Sequence, residues 1–256
     1  MSQKPATRLF VDAALGEGAE VALSGAAAHR LRAVLRLKEG DPVALFNGRD
    51  GEWLARIAAL GRDGGVAAAR ERLRVQETED DLWLVFALIK RARLEWLVEK
   101  AIELGVSALV PVQTRRTVAE NVNAARLTAI AREAAEQCER LSVPELRAAQ
   151  PLAALLAAWP GERRLIHCDE TGRAPHVAGA MAQLTPGPLA VLIGPEGGFA
   201  ESELDALGKL PNLTSVGLGP RVLRSETAAL AALAVVQALG GGWSIARRRQ
   251  RMPADE

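Results

Sequence analysis

The chain has 256 residues, 49% of them hydrophobic, and 32 Lys and Arg against 31 Asp and Glu leave a formal net charge of +1. This is the composition of a folded globular protein long enough for one or two full cores, and the near-neutral charge argues against nonspecific nucleic-acid binding. No apolar run reaches the ~18 residues of a membrane helix, and the opening Met1-Ser2-Gln3-Lys4-Pro5-Ala6-Thr7-Arg8 lacks the apolar core of a secretory signal, so a cytoplasmic location and no membrane partner are expected.

Residues 8–72 are β-rich. Arg8-Leu9-Phe10-Val11, Pro42-Val43-Ala44-Leu45-Phe46-Asn47-Gly48 and Glu52-Trp53-Leu54-Ala55-Arg56-Ile57 are strand-like, and the turn signals Asn47-Gly48 and Asp50-Gly51 make the last two a hairpin. One helix is predicted from Ala26 to Leu37, with Leu31, Val34 and Leu35 at i, i+3, i+4 and Gly40 just beyond. A small barrel with one helix fits this pattern. Gly61-Arg62-Asp63-Gly64-Gly65 forms a hairpin tip, and Glu77-Thr78-Glu79-Asp80-Asp81 is polar enough for a linker.

From about residue 82 the rhythm becomes strand, helix, strand, helix, which implies a parallel α/β sheet. Leu82 to Ile89 is a continuous apolar run, as in a strand covered on both faces. Leu94, Leu97, Val98 and Ala101 mark a helix ended by Gly105, and Ala108-Leu109-Val110-Pro111-Val112 is the next strand. A long helix is predicted over Ala124–Leu141, with Pro144 just past it. Further strands are predicted at Arg164–Cys168, Leu189–Ile193 and Leu213–Leu218, with helices near 201–208 and 225–239. Only Cys138 and Cys168 occur, too few for a disulfide framework and without the clustered ligands of a zinc site; both are expected as buried thiols, and no metal is expected. Lysine is scarce, at positions 4, 38, 90, 100 and 209. Arginine's planar fork suits phosphate and base edges, but GC-rich coding also enriches arginine, so composition leaves the partner open.

Two glycine-rich segments carry most of the functional information. Leu192-Ile193-Gly194-Pro195-Glu196-Gly197-Gly198-Phe199 and Leu218-Gly219-Pro220-Arg221-Val222-Leu223-Arg224-Ser225-Glu226-Thr227-Ala228 each leave a strand, turn sharply and enter a helix. Two such turns at one end of a parallel sheet make a ligand cleft built largely from backbone. The first lacks the Gly-Lys-Ser/Thr of a phosphate loop and the G-x-G-x-x-G spacing of a dinucleotide fold, and Glu201 and Glu203 in the next helical turn disfavour a phosphate, so a neutral or cationic ligand is easier to accommodate. Ser225 stands at the N-cap position of the alanine-rich helix that follows, while Arg224 is placed to face a ligand.

Together the two loops resemble the signature loops of the SPOUT class of S-adenosylmethionine-dependent RNA methyltransferases. Arg8–Val11, His29–Asp41, Glu99–Val106 and Glu136–Arg140 narrow the resemblance to the ribosomal small-subunit RNA methyltransferase E family over nearly the whole chain. Arg115-Arg116-Thr117-Val118-Ala119-Glu120 departs from that family in lacking a further basic residue near its end.

The resemblance implies an α/β fold with a PUA-like RNA-binding β-barrel over residues 1–73 and a SPOUT domain with a deep trefoil knot over 74–246, followed by a basic tail at 247–256. It implies methylation of N3 of one uridine in 16S ribosomal RNA, hence a role in rRNA processing and ribosome biogenesis, with ribosomal RNA or the small ribosomal subunit as partner and a homodimer as the assembly. S-adenosylmethionine would be held by Ile193, Gly194, Pro195, Glu196, Gly197, Gly198, Leu218, Gly219, Val222, Leu223, Arg224 and Ala228. Arg224 is the catalytic candidate, placed to stabilise a developing uridinate, and the proton acceptor is open between a carboxylate, Glu196 or Glu226, and water. Candidate RNA contacts are Arg8, His29, Arg30, Arg32, Arg36 and Lys38, with Arg32 and Arg36 at i, i+4 on the N-terminal helix. Two alternatives stand beside this reading: a SPOUT enzyme acting on ribose 2′-oxygen or transfer RNA, and an inactive PUA-type RNA-binding protein.

Overall fold

A change in side-chain pattern near residue 80 separates two kinds of sheet. The computed structural model describes residues 4–117, 122–183, 186–240 and 243; Val118 to Glu120 and the tail 247–256 lie outside them. The first sheet contains β1 (Arg8–Phe10), β2 (Glu20–Leu23), β3 (Pro42–Phe46), β4 (Glu52–Leu60) and β5 (Gly65–Arg74), in the order β1-β3-β4-β5-β2. β1 is parallel to β3 and the other pairs are antiparallel. Alternate residues of every strand, among them Leu9, Val21, Leu45, Ile57 and Ala67, enter one core. Register shifts along β4 and β5 let these long strands bend around it. Gly51 closes the β3–β4 hairpin at φ 80, where a Cβ would run into the Arg74 carbonyl.

The helix expected over Ala26–Leu37 is shorter and less regular. α1 (Gly25–His29) starts at Ser24, whose Oγ accepts the Ala27 N–H, and passes into a π-helical turn over Arg30–Val34. Leu31 is fully buried while Val34 is 67% exposed, so the supposed apolar stripe is anchored at one point only. The chain leaves the helix through Arg36 at φ 57, which takes Arg36 off the face that carries Arg32.

Chain contacts define one unit of Met1–Thr78 with Asn123–Glu145 and another of Glu79–Val122 with Leu146–Glu256. The segment 123–145 thus groups with the N-terminal unit, although it falls inside the span 74–246 that the sequence suggests as one domain. α3 (Ala124–Gln137) explains this, because it packs on β1 and buries Leu127, Ile130, Ala131, Ala134 and Ala135. It ends at Gln137 rather than Leu141 because Glu139 adopts φ 64. Arg8 ties it down: Nε donates to Glu52 Oε1 at 2.5 Å, Nη1 to the Ala135 and Glu136 carbonyls, and Nη2 to the Arg140 carbonyl. Its guanidinium also lies 4.4 Å from the Phe46 ring centroid. Arg8, which the sequence offers as an RNA contact, thus has its fork engaged within the unit.

The second sheet contains β6 (Leu82–Ala87), β7 (Ala108–Gln113), β8 (Glu145–Leu146), β9 (Gln150–Pro151), β10 (Arg164–Cys168), β11 (Leu189–Ile193) and β12 (Leu213–Val216). Its order is β12-β10-β11-β6-β7-β8, with β9 also on β7. β12, β10, β11, β6 and β7 are mutually parallel. Every residue of β6 is buried, as a strand covered on both faces requires. α4 (Leu152–Ala157) and α6 (Glu201–Gly208) pack together on one side; α2 (Arg91–Glu103), α5 (Val177–Met181) and α7 (Ser225–Gly240) group around β11. No helix among the described residues is long and apolar enough to cross a membrane.

Replacing Arg8 by Met leaves the Glu52 carboxylate, whose side chain is 8% exposed, with the longer Arg74 contact at 3.9 Å, and is expected to lower stability by about 2 kcal/mol. Arg8→Lys should recover little of this, because an ammonium cannot reproduce the fork. Equilibrium urea unfolding checks it; an unchanged midpoint for Arg8→Met would show that this guanidinium does not hold the unit.

Candidate functional site

Parallel strands deliver the loops that follow them to one edge of the sheet. Here those loops follow β6, β10, β11 and β12, and two of them are the glycine-rich segments. The first begins at the end of buried Ile193 and turns through Pro195, whose carbonyl accepts the Gly198 N–H at 2.9 Å. Gly198 takes φ 69. A Cβ on Gly194 would lie 2.9 Å from the Phe199 ring, and one on Gly198 would lie 2.5 Å from Glu170 Oε1. Gly194 is thus favoured by the protein's own packing and Gly198 by its left-handed backbone. Arg116 Nη1 donates to the Gly197 carbonyl at 2.8 Å, and Glu203 in α6 accepts from Ala200 N and Arg115 N, which fixes the outgoing end.

The second loop is more open. Gly219 has φ 117 with nothing within 4 Å of where a Cβ would sit. Leu218 and Leu223 are half-buried, whereas Val222 is 81% exposed. The Arg224 carbonyl accepts the Ala228 N–H at 2.8 Å, opening α7, and its side chain is exposed with no hydrogen-bond partner among the described residues. Ser225 does not cap the helix, as the sequence suggests it should. It is the first residue of α7, and its buried hydroxyl donates to the Gly194 carbonyl at 3.0 Å. That bond joins the two loops directly.

A residue the sequence reading missed completes the arrangement. Arg93, in the first turn of α2, donates through Nη1 to Glu196 Oε1, and its Nε lies 3.6 Å from Glu226 Oε1. One guanidinium therefore spans both loops. Glu196 is exposed, but Glu226 is buried and its Oε2 has no hydrogen-bond partner among the described residues. No sequence spacing relates Arg93 to Glu196; only the closure of the sheet does.

Beneath the first loop, Phe199 meets His167 edge-on with ring centroids 5.4 Å apart. His167 Nδ1 is 3.2 Å from Ser215 Oγ, and burial holds the imidazole below its usual 6.5 although Asp169 pulls the other way. Cys138 and Cys168 are partly exposed rather than buried as residues, Cys138 just past the end of α3 and Cys168 at the end of β10; the Cys168 thiol is nonetheless sunk deeply enough that burial pushes its pKa to about 12. It is no nucleophile near neutral pH. A separate cavity of about 360 Å³ is lined by Gln113, Thr114, Arg115, Leu152, Leu156 and Ser202, among others, and by none of the residues of the two loops.

In the N-terminal unit His29, Arg32, Arg36 and Lys38 are exposed, while Arg30 is ion-paired with Glu136 at 2.5 Å. Four of the six proposed RNA contacts thus remain open to a partner; Arg8 and Arg30 are engaged internally.

Residues 76–237 match the RNA methyltransferase domain and residues 23–67 the RNA methyltransferase PUA domain. The ribosomal RNA small subunit methyltransferase E of Rickettsia conorii is 34% identical over 235 residues, covering 91% of this chain and 96% of that protein. A Legionella pneumophila protein solved in complex with the bound cofactor SAM superposes with a TM-score of 0.82 at 31% identity, over 92% of this chain and 98% of that one. A ribosomal RNA small subunit methyltransferase E from Neisseria gonorrhoeae, bound to S-adenosyl methionine, gives 0.79 at 27% identity, again over 92% and 98%.

Ser225→Ala is expected to remove about 1 kcal/mol from the link between the loops, seen as roughly 5-fold faster amide hydrogen exchange across residues 194–199. Unchanged exchange would separate the loops energetically. His167 gives a pH test. The unfolded chain protonates it below about 6.5 whereas the folded chain resists, so stability present above that pH is lost as pH falls. His167→Gln should flatten this decline in urea midpoints measured between pH 7.5 and 5.5; an equally steep decline would place the proton uptake elsewhere.

Proposed function

The chain belongs to the ribosomal RNA small subunit methyltransferase E family, and we propose that it transfers the methyl group of S-adenosylmethionine to N3 of one uridine in 16S ribosomal RNA. Its fold is α/β, a SPOUT methyltransferase domain with a PUA domain at the N-terminus. The observation that carries the proposal is the Ser225–Gly194 hydrogen bond, which holds the two glycine-rich bends side by side at the carboxyl edge of a parallel sheet.

The residues present fit such a cofactor. Gly219 leaves space for close backbone approach, and the carbonyls of both loops with the Glu226 carboxylate suit a ligand bearing cationic and N–H groups. Ile193, Gly194, Pro195, Glu196, Gly197 and Gly198 would hold it from one side and Leu218, Gly219, Val222, Leu223 and Ala228 from the other. When bound, S-adenosylmethionine supplies an electrophilic methyl group on sulfur. The protein's task is then to orient the acceptor and remove its proton, and fixed geometry can supply much of the acceleration. Arg224, exposed and unengaged, is available to stabilise negative charge developing on O2 or O4 of the uracil ring as N3 is deprotonated. His29, Arg32, Arg36 and Lys38 would meet RNA phosphates. The same reading includes a trefoil-knotted C-terminal domain, a cytoplasmic homodimer acting on ribosomal RNA or the small subunit, and a part in ribosome biogenesis; Leu239, 52% exposed on α7, offers apolar surface to a second copy.

Mass mapping of 16S ribosomal RNA from a strain lacking the enzyme, before and after incubation with the protein and cofactor, should reveal one new 3-methyluridine. Arg224→Ala should reduce its rate of formation by about 100-fold or more, as loss of a charge-stabilising donor does, while calorimetric affinity for S-adenosylmethionine stays within a few fold. A methyl group on ribose or on transfer RNA, or full activity in the variant, would refute the corresponding part of the proposal.

A further inference from the structure

We propose that the buried Glu226 carboxylate is a ligand-facing acceptor, its Oε2 receiving an N–H of one of the two reactants: the α-ammonium of the methyl donor or the imide N3–H of the target base. This rests on the proposed function and assigns that site a residue role.

A first-turn glutamate ordinarily has one of two fates. On a helix N-terminus such a side chain stays in water or accepts from the first free N–H groups. Glu226 does neither. Its side chain is 10% exposed, and Oε2 has no hydrogen-bond partner among the described residues. Leaving a buried carboxylate oxygen unpaired is unfavourable unless a partner arrives.

Glu226 lies where the two loops meet. Its neighbour Ser225 is bonded to the Gly194 carbonyl, and Oε1 faces Arg93, which is already engaged by Glu196. Arg93 thus anchors one oxygen and cannot serve the other. One guanidinium set against two carboxylates leaves the cluster with a formal charge of −1, so an incoming N–H, either cationic or about to lose its proton, is the complement. Arg93 is by the same geometry a positioning residue, acting through Glu226.

The test is Glu226→Gln, which keeps shape and removes charge, read by calorimetry with S-adenosylmethionine and by single-turnover methylation of 16S RNA against pH. If the partner is the ammonium, donor affinity falls about 10-fold or more and the saturated rate is retained. If it is the imide, donor affinity is unchanged, the rate falls about 100-fold or more, and the rate's decline toward acid pH disappears. Either result supports the assignment; unchanged affinity together with an unchanged rate overturns it. Glu226→Asp, which retains the charge on a shorter stem, should lose less than Glu226→Gln on whichever quantity moves, and it carries the test if the Gln variant does not fold. Failure of the unmodified protein to bind donor or methylate RNA would instead reject the proposed function itself.

Discussion

One hydrogen bond, from the Ser225 hydroxyl to the Gly194 carbonyl at 3.0 Å, joins two chain segments that a full crossover separates. It is possible only because β10, β11 and β12 run parallel and release their loops at the same edge. The apolar interior favours that alignment: Leu165, Ile166, Val191 and Leu192 are buried on both faces of adjacent strands, and a one-residue slip would exchange the side chains packed on the two faces. The site is thus positioned by register in the sheet, and its side chains then lock a geometry already imposed.

Arginine performs two different jobs in this chain. Arg8 binds three carbonyls and a carboxylate, and Arg163 reaches Asp81 and the Leu189 carbonyl while stacking 3.6 Å from the Trp83 ring centroid. These uses need several donors in a plane, which lysine lacks. Arg32, Arg36 and Arg224, by contrast, stay exposed. The scarcity of lysine therefore does not by itself signal nucleic acid; an arginine's meaning depends on whether its fork is already filled.

Where local physics dominates, the sequence was readable. The continuous apolar run at Leu82–Ile89, the acidic first turn at Glu201 and the left-handed stop at Gly105 each have one favourable solution, and each is found, the strand closing two residues early at Ala87. Short elements escaped: β2 has only four residues and α5 only five, too few to show a period. The N-terminal helix failed for a different reason, since Val34 and Leu35 sit at helical spacing but remain exposed. In the site, glycine and proline marked both loops, whereas the roles of Arg93, Ser225 and Glu226 arise from neighbours brought together only by folding. A first-turn arginine looks like any solvated charge until Glu196 and Glu226 close around it.

The attachment of Asn123–Glu145 to the N-terminal unit bears on how the protein can be made and divided. Arg8 precedes its carbonyl partners at Ala135, Glu136 and Arg140 by more than a hundred residues and must wait for them. A fragment ending at residue 78 would carry all five strands of its sheet yet lack the helix that packs on β1, leaving Arg8 without those carbonyl partners. Neither unit is a continuous stretch of chain, so evolution could not have shuffled one without cutting the other, and the first sheet cannot complete its packing during synthesis until α3 has been made.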